Sequence, residues 1–181
     1  MPAIRNSGEL QMRMLTGVGI LAGLACVGGP AVAGTTSLTF GVQLTIQAQC
    51  VINSTATLNF GTAGVLGGSG GAANTDGATT VAVQCTNTTP FDIGLSAGLG
   101  SGASTTTRKL TKVSGTATVD YTLWQDSART ATNWGGNVGV DTMTLTGDGA
   151  SHSYTIYGRI PPQTTPAPGA YADTVTVTVT Y

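Results

Sequence analysis

The run Thr174-Val175-Thr176-Val177-Thr178-Val179-Thr180-Tyr181 alternates polar and apolar side chains without a break. In a strand, successive side chains point to opposite faces, so this pattern makes one apolar and one polar face; on a helix it would scatter apolar groups all round. The same period of two recurs through the chain. It runs through Leu38, Phe40, Val42, Leu44, Ile46 and Ala48, then Val81, Val83 and Cys85, then Phe91, Ile93 and Leu95. Further on it marks Val119, Tyr121 and Leu123, the shorter pair Met143 and Leu145, and Tyr154, Ile156 and Ile160 with Gly158 between. Thr, Val and Gly dominate, which favours strands punctuated by turns over helices. Gly64 to Gly77 reads as a Gly-rich loop, Thr146-Gly147-Asp148-Gly149 as a hairpin turn, and Pro161 to Gly169 as a Pro-rich connector. About seven short strands between turn signals predict an all-β, antiparallel β-sandwich in one domain.

The N-terminus carries a different signal. Arg5 and Arg13 form a basic start, Met14 through Val27 an apolar stretch, and Ala31-Val32-Ala33 a small-residue cleavage pattern. The apolar stretch, about 14 residues, is too short to span a bilayer as a helix. Residues 1–33 therefore read as an export signal that is removed, with no stable membrane insertion afterwards. Cys26 after Leu24-Ala25 offers a lipoprotein alternative, weakened by Gly23 where a Leu is expected. Without Arg5, Arg13 and Glu9, the seven Lys+Arg fall to five and the eight Asp+Glu to seven, all Asp. So few charges form no basic stripe for nucleic acid and no polybasic membrane anchor.

Export also removes Cys26 and leaves Cys50 and Cys85. A pair of cysteines in an oxidising compartment is most simply one disulfide. A metal site would need more ligands than two cysteines and the single His supply. Closing a loop of about 35 residues stabilises the fold by about 3–4 kcal/mol on the chain-entropy account. No cofactor motif survives inspection. Gly67-Gly68-Ser69-Gly70-Gly71 has the form of a nucleophile elbow but no helix signal follows it. Gly98, Gly100 and Ala103 have a dinucleotide-binding spacing, yet Thr105-Thr106-Thr107 stands where a helix must begin. His152 reads as a surface strand residue, and Asp126, Arg129 and Arg159 as turn caps or surface pairs. Trp124 reads as core, whereas Trp134, in a Gly-rich loop, is open between core and a sugar-stacking platform.

The two ends suit each other. The alternation from Leu38 to Ala48 has nothing before it to pack on and is expected to project as an arm. The final alternation carries neither charge nor Pro after Asp173 and has no hairpin partner following it. An edge of that kind is a liability unless another strand covers it. The arm of a neighbouring subunit would do so by β-augmentation, and a head-to-tail contact of that kind propagates a filament. Alternatively, the first and last strands pair within one closed sandwich. Periodicity alone leaves both readings open.

From Phe40 to Tyr181 the chain resembles the spore coat U domain family, which includes subunits of archaic (Csu-type) chaperone–usher pili. The matching stretches are Leu58-Asn59-Phe60-Gly61, Cys85-Thr86, and Thr89-Pro90-Phe91-Asp92-Ile93. Tyr121-Thr122-Leu123-Trp124-Gln125-Asp126 with Trp134-Gly135 follows, then Tyr157-Gly158-Arg159-Ile160-Pro161 and Gly169-Ala170-Tyr171-Ala172-Asp173-Thr174-Val175-Thr176-Val177. Departures are small: Asn87-Thr88 where a Gly is common, Trp124 for a usual Tyr, and a slightly long connector from Gln163 to Gly169.

The resemblance implies an incomplete immunoglobulin-like β-sandwich lacking its last strand, with an N-terminal donor-strand arm over 34–48 and a body over 49–181. It implies donor positions Leu38, Phe40, Val42, Leu44 and Ile46, and an acceptor edge of Val175, Val177, Val179 and Tyr181. It also implies that the Cys50–Cys85 bridge ties the first body strand to the second. The implied partners are a periplasmic chaperone, an outer-membrane usher and neighbouring pilin subunits, and the implied location is the periplasm and then a cell-surface pilus. The function expected is a non-enzymatic structural subunit supporting adhesion and biofilm formation. Two other readings stand beside it: a spore-coat or outer-layer protein assembled without an usher, and a secreted carbohydrate-binding module using the Trp134 loop.

Overall fold

The computed structural model describes residues 28–30, 32–71 and 73–181. The export segment expected over 1–33 falls almost wholly outside the described residues. The chain divides into two compact units, Met1–Gln43 and Leu44–Tyr181, and every strand among the described residues lies in the second. The division falls a few residues before the end of the arm expected over 34–48.

Nine strands form the body: β1 (Cys50–Thr55), β2 (Thr75–Cys85), β3 (Pro90–Leu95), β4 (Arg108–Lys112), β5 (Thr118–Trp124), β6 (Met143–Thr146), β7 (Ser151–Ile160), β8 (Tyr171–Ala172) and β9 (Val177–Thr180). One sheet has the order β1-β2-β7-β5-β4-β8 and the other β6-β3-β9. Every strand pairing is antiparallel. The two sheets meet over one core, to which β2 contributes Val81, Val83 and Cys85, β3 Phe91, Ile93 and Leu95, and β5 Val119, Tyr121 and Leu123. Burial along β2 and β5 follows the period of two, as a half-buried antiparallel strand requires.

Sequence and structure part company in several places. The Leu38–Ala48 alternation forms no strand among the described residues; the first strand is Cys50–Thr55. The final alternation is a strand only over Val177–Thr180. Thr146-Gly147-Asp148-Gly149 is not a hairpin, because β6 pairs with β3 while β7 pairs with β2 and β5; the turn crosses between sheets. The loop expected to end at Gly77 gives way to β2 at Thr75, and Leu66 within it is a core residue. β4 and β8 lack a strong alternating signal and were not expected. Of the two tryptophans, Trp134, left open by the sequence, is fully buried with its indole N–H donating to the Ile93 carbonyl, whereas Trp124, expected in the core, is half-exposed.

One local arrangement explains how the segment after β1 is held. Gly77 and Gly158 stand opposite each other in the β2–β7 ladder. With no side chain on either, Leu58 and Phe60 lie directly on the sheet: a Cβ on Gly158 would meet Leu58 Cδ1 and Phe60 Cζ, both at 2.8 Å. Phe60 also meets the Tyr121 ring edge-on at 6.0 Å. Gly158→Val is therefore expected to lower stability by about 1–3 kcal/mol through overpacking. Denaturant unfolding checks this, and an unchanged midpoint would mean that the Leu58–Phe60 segment moves aside freely.

Candidate functional site

β9 is held on one side only. Its ladder with β3 places Leu95 opposite Val177, Ile93 opposite Val179 and Asp92 opposite Thr180. No described strand lies along its other side. Val177 and Val179 turn half-buried side chains inward, while Thr178 and Thr180 face solvent. Val175 precedes the strand and is half-buried; Tyr181 follows it and is 59 % exposed. At the facing edge of the other sheet, β1 bonds only to β2 and leaves Val51 and Ile52 exposed.

The approach to β9 is fixed by polar contacts. Ser96 N–H donates to the Thr176 carbonyl at 3.0 Å, and Thr176 N–H donates to Ser96 Oγ at 2.9 Å. The Asp173 carboxylate accepts from the Tyr121 hydroxyl and from Leu99 N–H, each at 2.7 Å. Gly98, at φ 84°, lies so close to that carboxylate that a Cβ would strike it. Burial first, and then the Asp173 hydrogen bond, push the Tyr121 phenol well above its ordinary value, so it remains a donor. Beneath this corner, Arg108 is fully buried. Its guanidinium donates to the carbonyls of Ser96 (2.8 Å), Thr105 (2.8 Å), Leu95 (3.2 Å) and Trp134 (2.7 Å).

Beside this edge runs an apolar groove. A cavity of about 430 Å³ is lined by Thr55–Leu58 and Phe60, by Val81, Tyr121, Leu123 and Ile156 of the larger sheet, and by Val175 and Val177. A second, of about 1010 Å³, is lined by the Thr57–Leu66 segment, by Val119 and Ile160, and by Thr165–Asp173. Thr57, Leu58, Phe60, Leu110 and Asp173 line both, so the two volumes adjoin. A mostly apolar trough beside unpaired main-chain groups is suited to an extended polypeptide with alternate apolar side chains.

The described part of the N-terminal segment has that pattern. Leu38 is 100 % exposed, Phe40 86 %, Val42 83 %, Leu44 84 % and Ile46 76 %. Five large apolar side chains left in water within one short segment are unusual for a soluble chain.

The Cys50–Cys85 bridge is formed, and it sits on the first rung of the β1–β2 ladder. The other singled-out polar residues are structural. Asp126 accepts from the N–H groups of Thr130 and Ala131 as a turn cap. Arg159 grips Asp76 with two bonds of 2.8 and 2.9 Å, which holds the Asp76 carboxyl below its ordinary range. Arg129, in a left-handed conformation at φ 58°, reaches the carbonyls of Gly158 and Gly77 and lies over the Tyr157 ring. His152 is exposed on β7 and pairs with Asp148. Among the described residues no group of three or more His, Cys, Asp or Glu is placed to hold a metal, and no helix is long and apolar enough to cross a membrane.

The strand residues that line the groove stand out in the sequence, but the segment laid over the sheet and the buried arginine beside it do not. Leu58 and Phe60 entered only through a resemblance, and Leu66 and Arg108 not at all. Leu58-Asn59-Phe60 is too short an alternation to stand out, though a Gly at both Gly77 and Gly158 was a usable hint of close approach from above.

A solved structure with a similar fold is the CsuC–CsuE chaperone–tip adhesion subunit pre-assembly complex from the archaic chaperone–usher Csu pili of Acinetobacter baumannii. It aligns with a TM-score of 0.51 and 23 % identity over 76 % of this chain and 40 % of that one. A chaperone–tip adhesin complex of CFA/I fimbriae biogenesis aligns with a TM-score of 0.45 and 17 % identity, over 74 % of this chain and 41 % of that one. The chain thus spans about two fifths of each of those structures. No match is found among curated proteins. The model of the Spore Coat Protein U domain matches residues 36–178, most of the sequence. The chain belongs to the spore coat protein U domain family.

Proposed function

We propose that this chain is a structural subunit of a chaperone–usher surface pilus that polymerises by donor-strand exchange. The observation that carries the reading is the coincidence of an unpaired β9 edge and a two-part apolar groove with an exposed arm of alternating Leu38, Phe40, Val42, Leu44 and Ile46. The groove takes a strand from outside the body: a periplasmic chaperone lends one first, and at an outer-membrane usher the arm of the next subunit replaces it. The acceptor edge is Val175, Val177, Val179 and Tyr181. The subunit is exported to the periplasm, ends in a cell-surface fibre, and serves adhesion and biofilm formation without catalysis. The family membership and the fold shared with a Csu pilus subunit support this assignment.

The carbohydrate-module reading loses its basis, because the Trp134 ring that was to stack on a sugar is fully buried. An outer-layer protein assembled without an usher would use the same groove; adjacent chaperone and usher genes separate the two. Electron microscopy of cells with and without the gene tests the proposal. Thin surface fibres are expected to disappear with the gene and return on complementation, and fibres unchanged in its absence would overturn it.

A further inference from the structure

β1 is an edge strand of the larger sheet, at the place where the chain enters the body. It is bonded on one side only, its residues after Cys50 are all exposed, and its ladder with β2 is broken by a bulge between Ile52 and Ser54. A strand with one ladder and no buried side chain peels easily when pulled from its end. Everything around its first residue is fastened far more firmly. Cys50 is bonded covalently to Cys85 on the first rung. Just before it, Thr86 N–H donates to the Gln49 carbonyl at 2.9 Å and Gln49 N–H donates to Thr86 Oγ1 at 3.1 Å.

Behind Cys85 the chain is locked again. Gly149 N–H donates to the Cys85 carbonyl, Thr88 N–H to the Gly147 carbonyl and Gly147 N–H to the Thr89 carbonyl, at 3.1, 2.8 and 2.8 Å. A Cβ on Gly147 would approach Thr86 O to 2.5 Å and Cys85 Cβ to 2.7 Å, so the two turns are in direct contact. From Thr89 the chain enters β3, which lies between β6 and β9 and is laddered to both.

We propose that the Cys50–Cys85 bridge is a load clamp: tension entering through the arm passes at Cys50 into Cys85, through the turn to β3, and so to β9, bypassing β1. The inference rests on the filament reading for the origin of the tension, since a subunit whose arm sits in its neighbour is pulled at Gln49 and held at its groove. β1, which lines the groove through Ile52 and Thr55, then keeps its place while the fibre is stretched.

Single-molecule force spectroscopy tests the clamp on one mature chain, pulled between a handle on the arm and a handle at Tyr181. The oxidised chain is expected to open in one event. The Cys50→Ala/Cys85→Ala chain is expected to show an earlier, weaker event of about 20 Å as the six residues of β1 peel, and a total extension longer by about 120 Å for the 35-residue separation that the bridge hides. The oxidised chain, reduced by a phosphine after folding, gives the same comparison if the double variant folds poorly. A bridge-free chain that opens in one event at the force of the oxidised chain overturns the clamp. Because only one chain is pulled, the clamp can fail in a protein that still forms fibres, and can hold in one that forms none.

Discussion

Cells producing the protein without residues 34–46 are expected to assemble no fibres, while the body still folds and closes its Cys50–Cys85 bridge. The deletion removes every exposed large apolar side chain from Leu38 to Ile46 and leaves β1 and the core intact. Burying those five side chains in a neighbour's groove contributes about 8–15 kcal/mol before the cost of ordering the arm, at about 1.5–3 kcal/mol each. That is large enough to decide between polymer and monomer. Phe40→Asp with Leu44→Asp keeps the length of the arm and should have the same effect, because an unpaired carboxylate in an apolar groove costs several kcal/mol. Fibre counts by electron microscopy and the size of the secreted protein measure the outcome. Fibres of normal length and number from either variant would show that the arm is not the donor.

The second large effect is expected at Arg108. Replacing it by Met keeps similar bulk but strips four carbonyls, on Leu95, Ser96, Thr105 and Trp134, of their donor at a fully buried site. Each buried acceptor left without a partner costs about 1–3 kcal/mol, partly relieved by water. A loss of about 3–5 kcal/mol follows, or a fall in Tm of about 10 °C or more for a domain of this size. Arg159→Met, which breaks an ion pair at the surface, should cost less than about 1 kcal/mol. Thermal unfolding of the two oxidised variants makes the comparison. Near-equal losses would mean that the Arg108 bonds are replaced by solvent and that this corner is not built on a buried guanidinium. Because Arg108 fixes the loop that carries Ser96 and Leu99, its loss should also loosen the lead into β9 at Thr176 and Asp173.

What the sequence revealed follows from which faces are buried. Strands between two neighbours, such as Val119–Leu123 in β5 and Val81–Cys85 in β2, bury alternate residues in one core and were legible at once. β1 was not, because an edge strand exposed along nearly all its length needs no alternation. β4 was hidden for the opposite reason. Arg108-Lys109-Leu110-Thr111-Lys112 reads as polar surface, and only the convergence of four carbonyls on one guanidinium makes Arg108 a core residue. Trp134 and Leu66 sit in glycine-rich stretches whose local pattern says loop; a single large side chain there is placed by tertiary packing, which periodicity does not report. The Leu38–Ala48 alternation reads as a strand, yet it has no ladder among the described residues, since a strand needs a partner as well as a pattern.

The two turns that cross between the sheets, Thr86–Thr89 and Thr146–Gly149, are bonded to each other at the Cys85 end of β2. The larger cavity lies at the opposite end, near Ile160, the ladder partner of Thr75. The sheets are therefore tied to each other at both ends of β2, by these turns beside Cys85 and by the Arg108 guanidinium reaching Leu95 and Ser96 at the Ile160 level, with the cavity opening beside the second tie. A strand entering the groove as proposed would thus meet a frame already tied at top and bottom, and amide exchange along β2 is expected to be slow at both ends.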